Sequence, residues 1–286
     1  MLTRVIPRLD IKGPNLVKGI HLEGLRVLGK PEDFARRYYE EGADELLFMD
    51  VVASLYERNS LHDIISRTAD EIFIPLAVGG GLRTLDDIRS VLRAGADKVT
   101  LNTAAIRHPE LIRKAAQRFG SSTIVISIEA IRKTDGEYEA YTDNGREKTG
   151  VDAVEWAARA ADLGAGELVV TSIDREGTGR GYDLDLIKRI ASSVSIPVIA
   201  SGGAGKPSDV GDALAAGAAA AAVASVLHYN VFQDLKTDHG KFDAGINLAH
   251  LARPGFGRIE SASLAQIKAE IASRGFNSRT VEAAYV

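Results

Sequence analysis

Short apolar runs alternate along this chain with longer segments in which apolar residues recur every three or four positions. The runs are rich in β-branched residues and lack a regular polar alternation, which is typical of strands buried on both faces. Eight such runs are found, at residues 4–10, 45–51, 74–80, 97–102, 122–129, 167–173, 196–202 and 220–225. Segments such as DDIRSVLRAGA (86–96) have helical periodicity. This βαβα order predicts a parallel sheet.

Two phrases of the sequence are nearly the same, IPLAVGGG at 74–81 and IPVIASGGAG at 196–205. Pro75 and Pro197 are 122 residues apart, and the same spacing separates several other pairs: Glu45 and Glu167, Gly80 and Gly202, Gly95 and Gly217, Asn102–Thr103 and Ala224–Ser225. Eight βα units in two similar halves predict one domain over residues 1–286, a (β/α)8 TIM barrel of the α/β class built from two half-barrels. An open doubly wound sheet and a coincidental repeat are the alternatives.

The composition narrows the class of protein without identifying it. A chain of 286 residues with 45% hydrophobic residues can bury a sizeable core. The net charge of −4 argues against a general nucleic-acid binder, and the absence of cysteine excludes disulfides and thiolate chemistry. The start lacks the apolar region of a signal peptide, and the most apolar stretch, 213–227, is shorter than the ~20 residues of a membrane span. We therefore expect a soluble cytoplasmic protein.

The repeated glycine pairs are candidates for phosphate binding. Gly80–Gly81 and Gly202–Gly203 follow predicted strands, where glycine allows a ligand to approach the backbone closely. One unit later, Asn102–Thr103 and Ala224–Ser225 precede helices, whose N-termini attract phosphate. Because the carboxyl ends of all eight strands open onto one face, two phosphates could be held on opposite sides of one mouth. The alternative is that these glycines only form tight turns.

Acidic residues at strand ends are candidates for acid–base chemistry. Asp10 is expected to end strand one and Glu129 to end strand five, on opposite sides of an eight-stranded ring. Two carboxylates that face one bound molecule can act as acid and base. Asp50, at the end of strand two, is a further candidate. Residues of this type can also simply cap the following helix.

Four charged residues are expected at the opposite end of the barrel, where the strands begin. They are Arg4, Glu45, Lys98 and Glu167. Since buried charges are costly unless they are paired, two acids and two bases could form a ring that closes the lower end. Such a ring could be a plug or a gate for a small polar molecule, or some of its members could point to solvent.

Several phrases together carry a resemblance to a known family. They are LVKG (16–19), ADELLFMD (43–50), VGGG (78–81), GADKVTLNTAA (95–105), GAGE (164–167), TSIDREGT (171–178), GYD (181–183) and IASGGAGK (199–206). In these phrases the chain resembles the cyclase subunits of imidazole glycerol phosphate synthase, from Met1 to about Tyr229 and more weakly at 263–277. That family has a (β/α)8 barrel of two half-barrels.

The resemblance implies a function. A glutaminase subunit (HisH-like) is expected to dock beneath the barrel, and its ammonia to travel up the axis to a ribulosyl nucleotide with a phosphate at each end. The products would be imidazole glycerol phosphate and an aminoimidazole carboxamide ribonucleotide. Neither a metal nor an organic cofactor is expected.

The resemblance also assigns residues. The catalytic pair would be Asp10 and Glu129, and the ammonia gate would be the four charged residues at the strand beginnings. The remaining substrate and phosphate contacts would be Lys18, Asp50, Gly80, Gly81, Asn102, Thr103, Thr171, Glu176, Gly177, Gly202, Gly203, Ala224 and Ser225.

The chain departs from the family pattern in three places. Glu129 and Glu176 stand where the family has aspartate, and 230–262 looks like an insertion in the loop after strand eight. An extra methylene displaces a carboxylate by roughly 1 Å, enough to slow a reaction ~100-fold unless the backbone compensates. The insertion could be a lid, a partner contact or a passive loop, and the spacing of His228, His239 and His250 fits no familiar metal site.

Three other functions remain open at this point. One is a paralogue that works with another amidotransferase to add nitrogen to a surface-polysaccharide sugar. Another is the related aldose–ketose isomerase of the same pathway, although ADELLFMD, the four charged residues and IASGGAGK favour the cyclase. The last is a weakly catalytic barrel that acts as a scaffold for the glutaminase.

Overall fold

A closed ring of eight parallel strands forms the centre of the protein, as a computed structural model shows for residues 2–53, 61–237 and 259–279. Around the ring the strands are, in order, β1 (Arg4–Lys12), β4 (Leu46–Asp50), β5 (Leu76–Gly79), β6 (Lys98–Leu101), β7 (Ile124–Arg132), β10 (Glu167–Ser172), β11 (Val198–Ser201) and β12 (Ala220–Val223). The pairings of β7 with β10 and of β12 with β1 close the ring. The predicted (β/α)8 barrel of two halves is confirmed.

Helices connect the strands on the outside of the ring. Their bounds are α1 (Pro31–Glu40), α2 (His62–Ala69), α3 (Leu85–Arg93), α4 (Thr103–Arg107), α5 (Glu110–Phe119), α6 (Ala153–Asp162), α7 (Leu184–Ser193), α8 (Pro207–Ala215), α9 (Ser225–Thr237) and α10 (Leu264–Ser273). Local sequence determines where several helices begin: Thr84 caps the N-terminus of α3, Asp152 caps that of α6, and α1 begins with a proline. The predicted insertion begins inside α9, and residues 238–258, with His239 and His250, lie outside the described residues.

Two antiparallel hairpins extend the ring at strands β1 and β7. The first is β2 (Asn15–Ile20) with β3 (Glu23–Gly29), and the second is β8 (Tyr138–Thr142) with β9 (Glu147–Asp152). Each hairpin continues the strand that carries one of the predicted catalytic carboxylates. Asp10 and Glu129 therefore do not end their strands as predicted, because β1 runs on for two residues and β7 for three.

Side-chain alternation along the strands produces two apolar regions. Outward-facing residues such as Leu9 and Ile126 pack against the helices in the main core. Inward-facing residues fill the middle of the barrel, in a cluster of Ile6, Leu47, Ala77, Val125, Val169, Ile199, Ala220 and Ala222. On β1 the inward positions are every second residue, so Arg4 lies below this interior cluster and Asp10 above it. The upper end, where the strands end, is called the mouth below.

Gly80 follows β5 in a backbone conformation, with φ of +106°, that L side chains rarely adopt. A Cβ atom built there would lie 2.4 Å from the Asp50 carbonyl oxygen and 2.7 Å from Asp50 Cβ. The loop can therefore approach β4 this closely only because residue 80 has no side chain.

We predict that Gly80→Ala destabilises the protein by about 1–3 kcal/mol more than Gly13→Ala does. Gly13 is the matched control, because its φ of +63° is also positive but a Cβ there meets nothing within 4 Å. Urea-unfolding midpoints of the two variants measure the difference, and equal midpoints would contradict the close-approach explanation.

Candidate active site

The two predicted catalytic carboxylates face the mouth from strands four places apart in the ring, β1 and β7. Asp10 accepts a hydrogen bond at Oδ1 from Arg8 Nε, at 2.9 Å. Glu129 is 3% exposed, and within the described part of the chain its Oε2 atom has no hydrogen-bond partner. The two carboxylates thus have different surroundings: one is paired with a cation, and the other is buried and only partly satisfied.

Burial is the main reason why the pKa of Glu129 is raised to about 7. Arg8 and a backbone hydrogen bond from Gly145 lower this pKa, while the carboxylates of Asp10 and Asp143 raise it. A carboxyl group with a pKa near neutrality can hold a proton and give it up at physiological pH. That is the property required of a general acid.

Two cavities open in the mouth, one on each side of the barrel. The first cavity, of about 320 Å³, contains Glu129. It is also lined by predicted site residues from the first half-barrel: Asp50, Gly80, Gly81, Asn102 and Thr103. Three side chains that the sequence analysis did not single out, Arg83, Arg107 and His108, add basic groups to its wall.

The second cavity is smaller, about 30 Å³, and contains Asp10. It is lined by predicted site residues from the second half-barrel: Glu176, Gly177, Gly202, Gly203, Ala224 and Ser225. Both predicted glycine turns therefore lie at the mouth, and each is accompanied by one of the two carboxylates.

The turns of the two hairpins are in contact at the mouth. Asn144 Nδ2, in the β8–β9 turn, donates to the Leu22 carbonyl oxygen in the β2–β3 turn at 3.2 Å. Leu22, Tyr141 and Ile173 form a small apolar cluster at the same place. We call this contact the hairpin bridge. Asn144 also lines the first cavity, and Glu176, which accepts a hydrogen bond from the Leu22 amide, lines the second.

Two predicted substrate contacts have structural partners at the mouth. Glu176 Oε2 accepts a hydrogen bond from the Leu22 backbone amide at 2.9 Å, which ties the loop after β10 to the first hairpin. Thr171 is fully buried, and its Oγ1 atom accepts from Arg8 Nη1 at 3.2 Å.

Lys18 lies apart from both cavities, on the inner strand of the first hairpin. It lines a separate cavity of about 320 Å³ between that hairpin and Tyr229 of α9, and its Nζ atom donates to the Gly19 carbonyl oxygen at 2.9 Å. Burial lowers the pKa of Lys18, an effect that the charges of Glu176 and Asp10 oppose. The structure therefore places its ammonium group close enough to the second cavity to feel its carboxylates.

At the lower end, the four predicted charges form a closed ring of ion pairs, called the charged ring below. Arg4 contacts both Glu45, at 2.7 Å, and Glu167. Lys98 Nζ also contacts both acids, at 2.9 Å and 3.0 Å. Acids and bases thus alternate around the axis directly below the interior cluster, and each acid has two cationic partners.

Histidine 228 is structural in this arrangement. It is 1% exposed, and its Nδ1 atom is 2.6 Å from the Tyr38 hydroxyl oxygen. Burial lowers the pKa of His228 to about 3, which keeps the ring neutral.

Among residues 2–53, 61–237 and 259–279, no helix is long and apolar enough to cross a membrane.

Comparison with known proteins gives consistent results. The sequence profile of the family described as "Histidine biosynthesis protein" matches residues 4–233. The chain is 60% identical over 203 residues to "Imidazole glycerol phosphate synthase subunit HisF" of Legionella pneumophila, an alignment that covers 71% of this chain and 96% of the relative. It is 49% identical over 245 residues to the protein of the same name from Streptomyces griseus subsp. griseus, covering 86% and 98%.

The raised pKa of Glu129 makes stability depend on pH. Because the folded-state pKa is about 7 and the reference value is 4.5, folding favours the protonated acid. The resulting stabilisation is fully present below about pH 4.5 and is lost as the pH rises through about 7.

The free energy of unfolding of the wild type should fall between pH 5 and pH 8. We predict that this fall is smaller in Glu129→Gln by about 2–3 kcal/mol. Urea-unfolding curves of both proteins at the two pH values measure this difference. Parallel pH profiles for the wild type and the variant would contradict the assignment.

Proposed function

The chain belongs to the histidine biosynthesis protein family, among the HisF subunits of imidazole glycerol phosphate synthase, and we propose that it uses ammonia to cyclise and cleave a ribulosyl nucleotide with two phosphates. The products are imidazole glycerol phosphate and an aminoimidazole carboxamide ribonucleotide. The observation that carries the proposal is the pairing of one carboxylate with one glycine turn on each side of the mouth.

The two cavities would bind the two ends of the substrate. Gly81, Asn102 and Thr103 would hold one phosphate, and Arg107 and His108 supply basic groups near it. Gly203 and Ser225 would hold the other phosphate, at the start of helix α9, where free backbone amides favour an anion. The reacting centre of the substrate would then lie between Asp10 and Glu129.

The two carboxylates would have distinct roles in this reaction. Asp10, fixed by Arg8, would act as the base that removes a proton from the attacking nitrogen. Glu129, whose pKa is about 7, would act as the acid that protonates the leaving nitrogen. Because the hairpin bridge contacts the walls of both cavities, its opening would admit the substrate and its closure would exclude water from the reaction.

Ammonia would come from a glutaminase subunit on the lower face. The relatives are named as subunits, and this chain exposes two large apolar side chains at that end: Leu2, 62% exposed, and Phe73, 81% exposed. Exposed apolar groups near the charged ring provide a surface of the kind that protein interfaces bury. Ammonia released there would enter the axis through the ring of Arg4, Glu45, Lys98 and Glu167.

We predict that Asp10→Asn decreases ammonium-dependent turnover by at least about 100-fold. The change keeps an oxygen acceptor for Arg8 Nε, so the fold should persist. Product formation from the ribulosyl nucleotide and ammonium chloride is measured by chromatography, with circular dichroism as the control for folding. Near-normal turnover of the variant would rule out Asp10 as the base.

The same assay separates the proposed activity from its alternatives. A wild-type protein that gives no product, but still stimulates a glutaminase, would be a scaffold. Conversion of an aldose to a ketose without ammonium would identify the related isomerase.

We predict that Phe73→Asp weakens binding of a HisH-like glutaminase by about 10-fold or more, because it places a charge within the proposed apolar contact. The control is Leu184→Asp, since Leu184 is also exposed, at 41%, but lies at the start of α7 near the mouth. Isothermal titration calorimetry with the purified glutaminase measures both variants. Equal affinities of the two variants for the glutaminase would mean that it binds to a surface that does not include Phe73.

A further inference from the structure

Arg8 is a buried cation in the middle of the barrel that the sequence analysis did not single out. It occupies an inward position on β1, two residues above Ile6 of the interior cluster and two below Asp10. At the rise of a β-strand this places its backbone about 7 Å above the apolar layer. The residue is only 5% exposed, so its charge must be compensated by the groups around it.

The guanidinium reaches across the ring from β1 to β10 and β11. Its Nε atom donates to Asp10 Oδ1 at 2.9 Å, and its Nη1 atom donates to Thr171 Oγ1 and to Ser201 Oγ, both at 3.2 Å. Thr171 is the register partner of both Glu129 on β7 and Ser201 on β11. The guanidinium of Arg8, though not its backbone, therefore lies at the level of both carboxylates, on the floor of the mouth.

We propose that Arg8 is a positioning residue of the active site, whose guanidinium holds the Asp10 carboxylate in place and supplies the positive charge that faces Glu129. The inference deepens the proposed function, and its role in turnover rests on that function. The planar guanidinium can direct separate N–H groups at a carboxylate and at two hydroxyls simultaneously. A lysine ammonium could keep the charge but not this geometry.

The charges that act on Glu129 come from two elements, β1 and the β8–β9 turn. Arg8 and Asp10 face it from β1, with opposite signs, and Asp143 faces it from the β8–β9 turn. The backbone amide of Gly145, in the same turn, also contacts the carboxyl group. Among these groups Arg8 is the largest cause that favours the ionised form. Removing it should therefore strengthen proton binding by Glu129, although the two residues are on different strands.

The direct test is an NMR titration of the Glu129 carboxyl carbon in protein labelled with 13C-glutamate, assigned with Glu129→Gln. Arg8→Met should move the titration midpoint upward by about 1 pH unit or more. Arg8→Lys, which keeps a positive charge, should leave it within about half a unit of the wild type. An unchanged midpoint in folded Arg8→Met would overturn the proposal.

A matched pair of variants covers the case in which Arg8→Met does not fold because Asp10 loses its partner. In Asp10→Asn and in Arg8→Met/Asp10→Asn the Asp10 carboxylate is absent from both proteins, so removing Arg8 no longer leaves a buried carboxylate without its partner. The midpoint of Glu129 should still be about 1 pH unit higher in the double variant. Equal midpoints in this pair would also overturn the proposal.

Kinetics then separate a positioning role from a purely structural one. Arg8→Met should decrease kcat by at least about 100-fold with little change in KM, and the alkaline limb of its pH profile should move upward with the NMR midpoint. Arg8→Lys should restore the position of that limb and only part of kcat. If the alkaline limb of the Arg8→Met pH profile stays at the wild-type position, the positioning role of Arg8 is contradicted.

If the wild type shows no turnover, the proposed function fails, and the NMR midpoints alone decide the role of Arg8.

Discussion

Pairing of charges inside the barrel is the constraint on which the rest of this structure depends. Burying an isolated charge is costly, so each buried ion must have a counter-ion or lose its charge. The charged ring meets this requirement at the lower end, and Arg8 with Asp10 meets it at the mouth. The charge of Glu129 is compensated only in part, and the pKa of Glu129 is raised as a consequence. Architecture and proposed chemistry thus follow from one electrostatic requirement.

The arrangement of the barrel could be predicted from sequence because its signals are local and repeated. Apolar runs without alternation mark strands that are covered on both sides, and the 122-residue spacing identified two halves. The hairpins were not predicted, because their outer strands, β3 and β9, are largely exposed and lack the apolar runs that mark the strands of the barrel. One signal was present nonetheless: Asn144–Gly145, which follows Tyr138–Thr142, is a pair that favours hairpin turns.

The site was predictable where it depends on position along a strand, and not where it depends on contacts between distant strands. The glycine turns and the charged ring follow from their places at strand ends. Two partners of Arg8, Thr171 and Ser201, are 163 and 193 residues away in sequence, so no local pattern shows that one side chain joins three strands. Its only local signal is that Arg4, Arg8 and Asp10 share one face of β1. The proton affinity of Glu129 likewise depends on burial, which the sequence does not give.

Strand β1 carries a member of the charged ring, a residue of the interior cluster and a predicted catalytic carboxylate at alternate positions, from Arg4 through Ile6 and Arg8 to Asp10. Inserting or deleting one residue within this stretch would turn everything beyond that point to the opposite side, placing Arg8 and Asp10 among the helices and Leu9 in the mouth. A replacement at any one of these positions changes a single group, whereas a change of one residue in the length of the strand changes the side on which every later group lies.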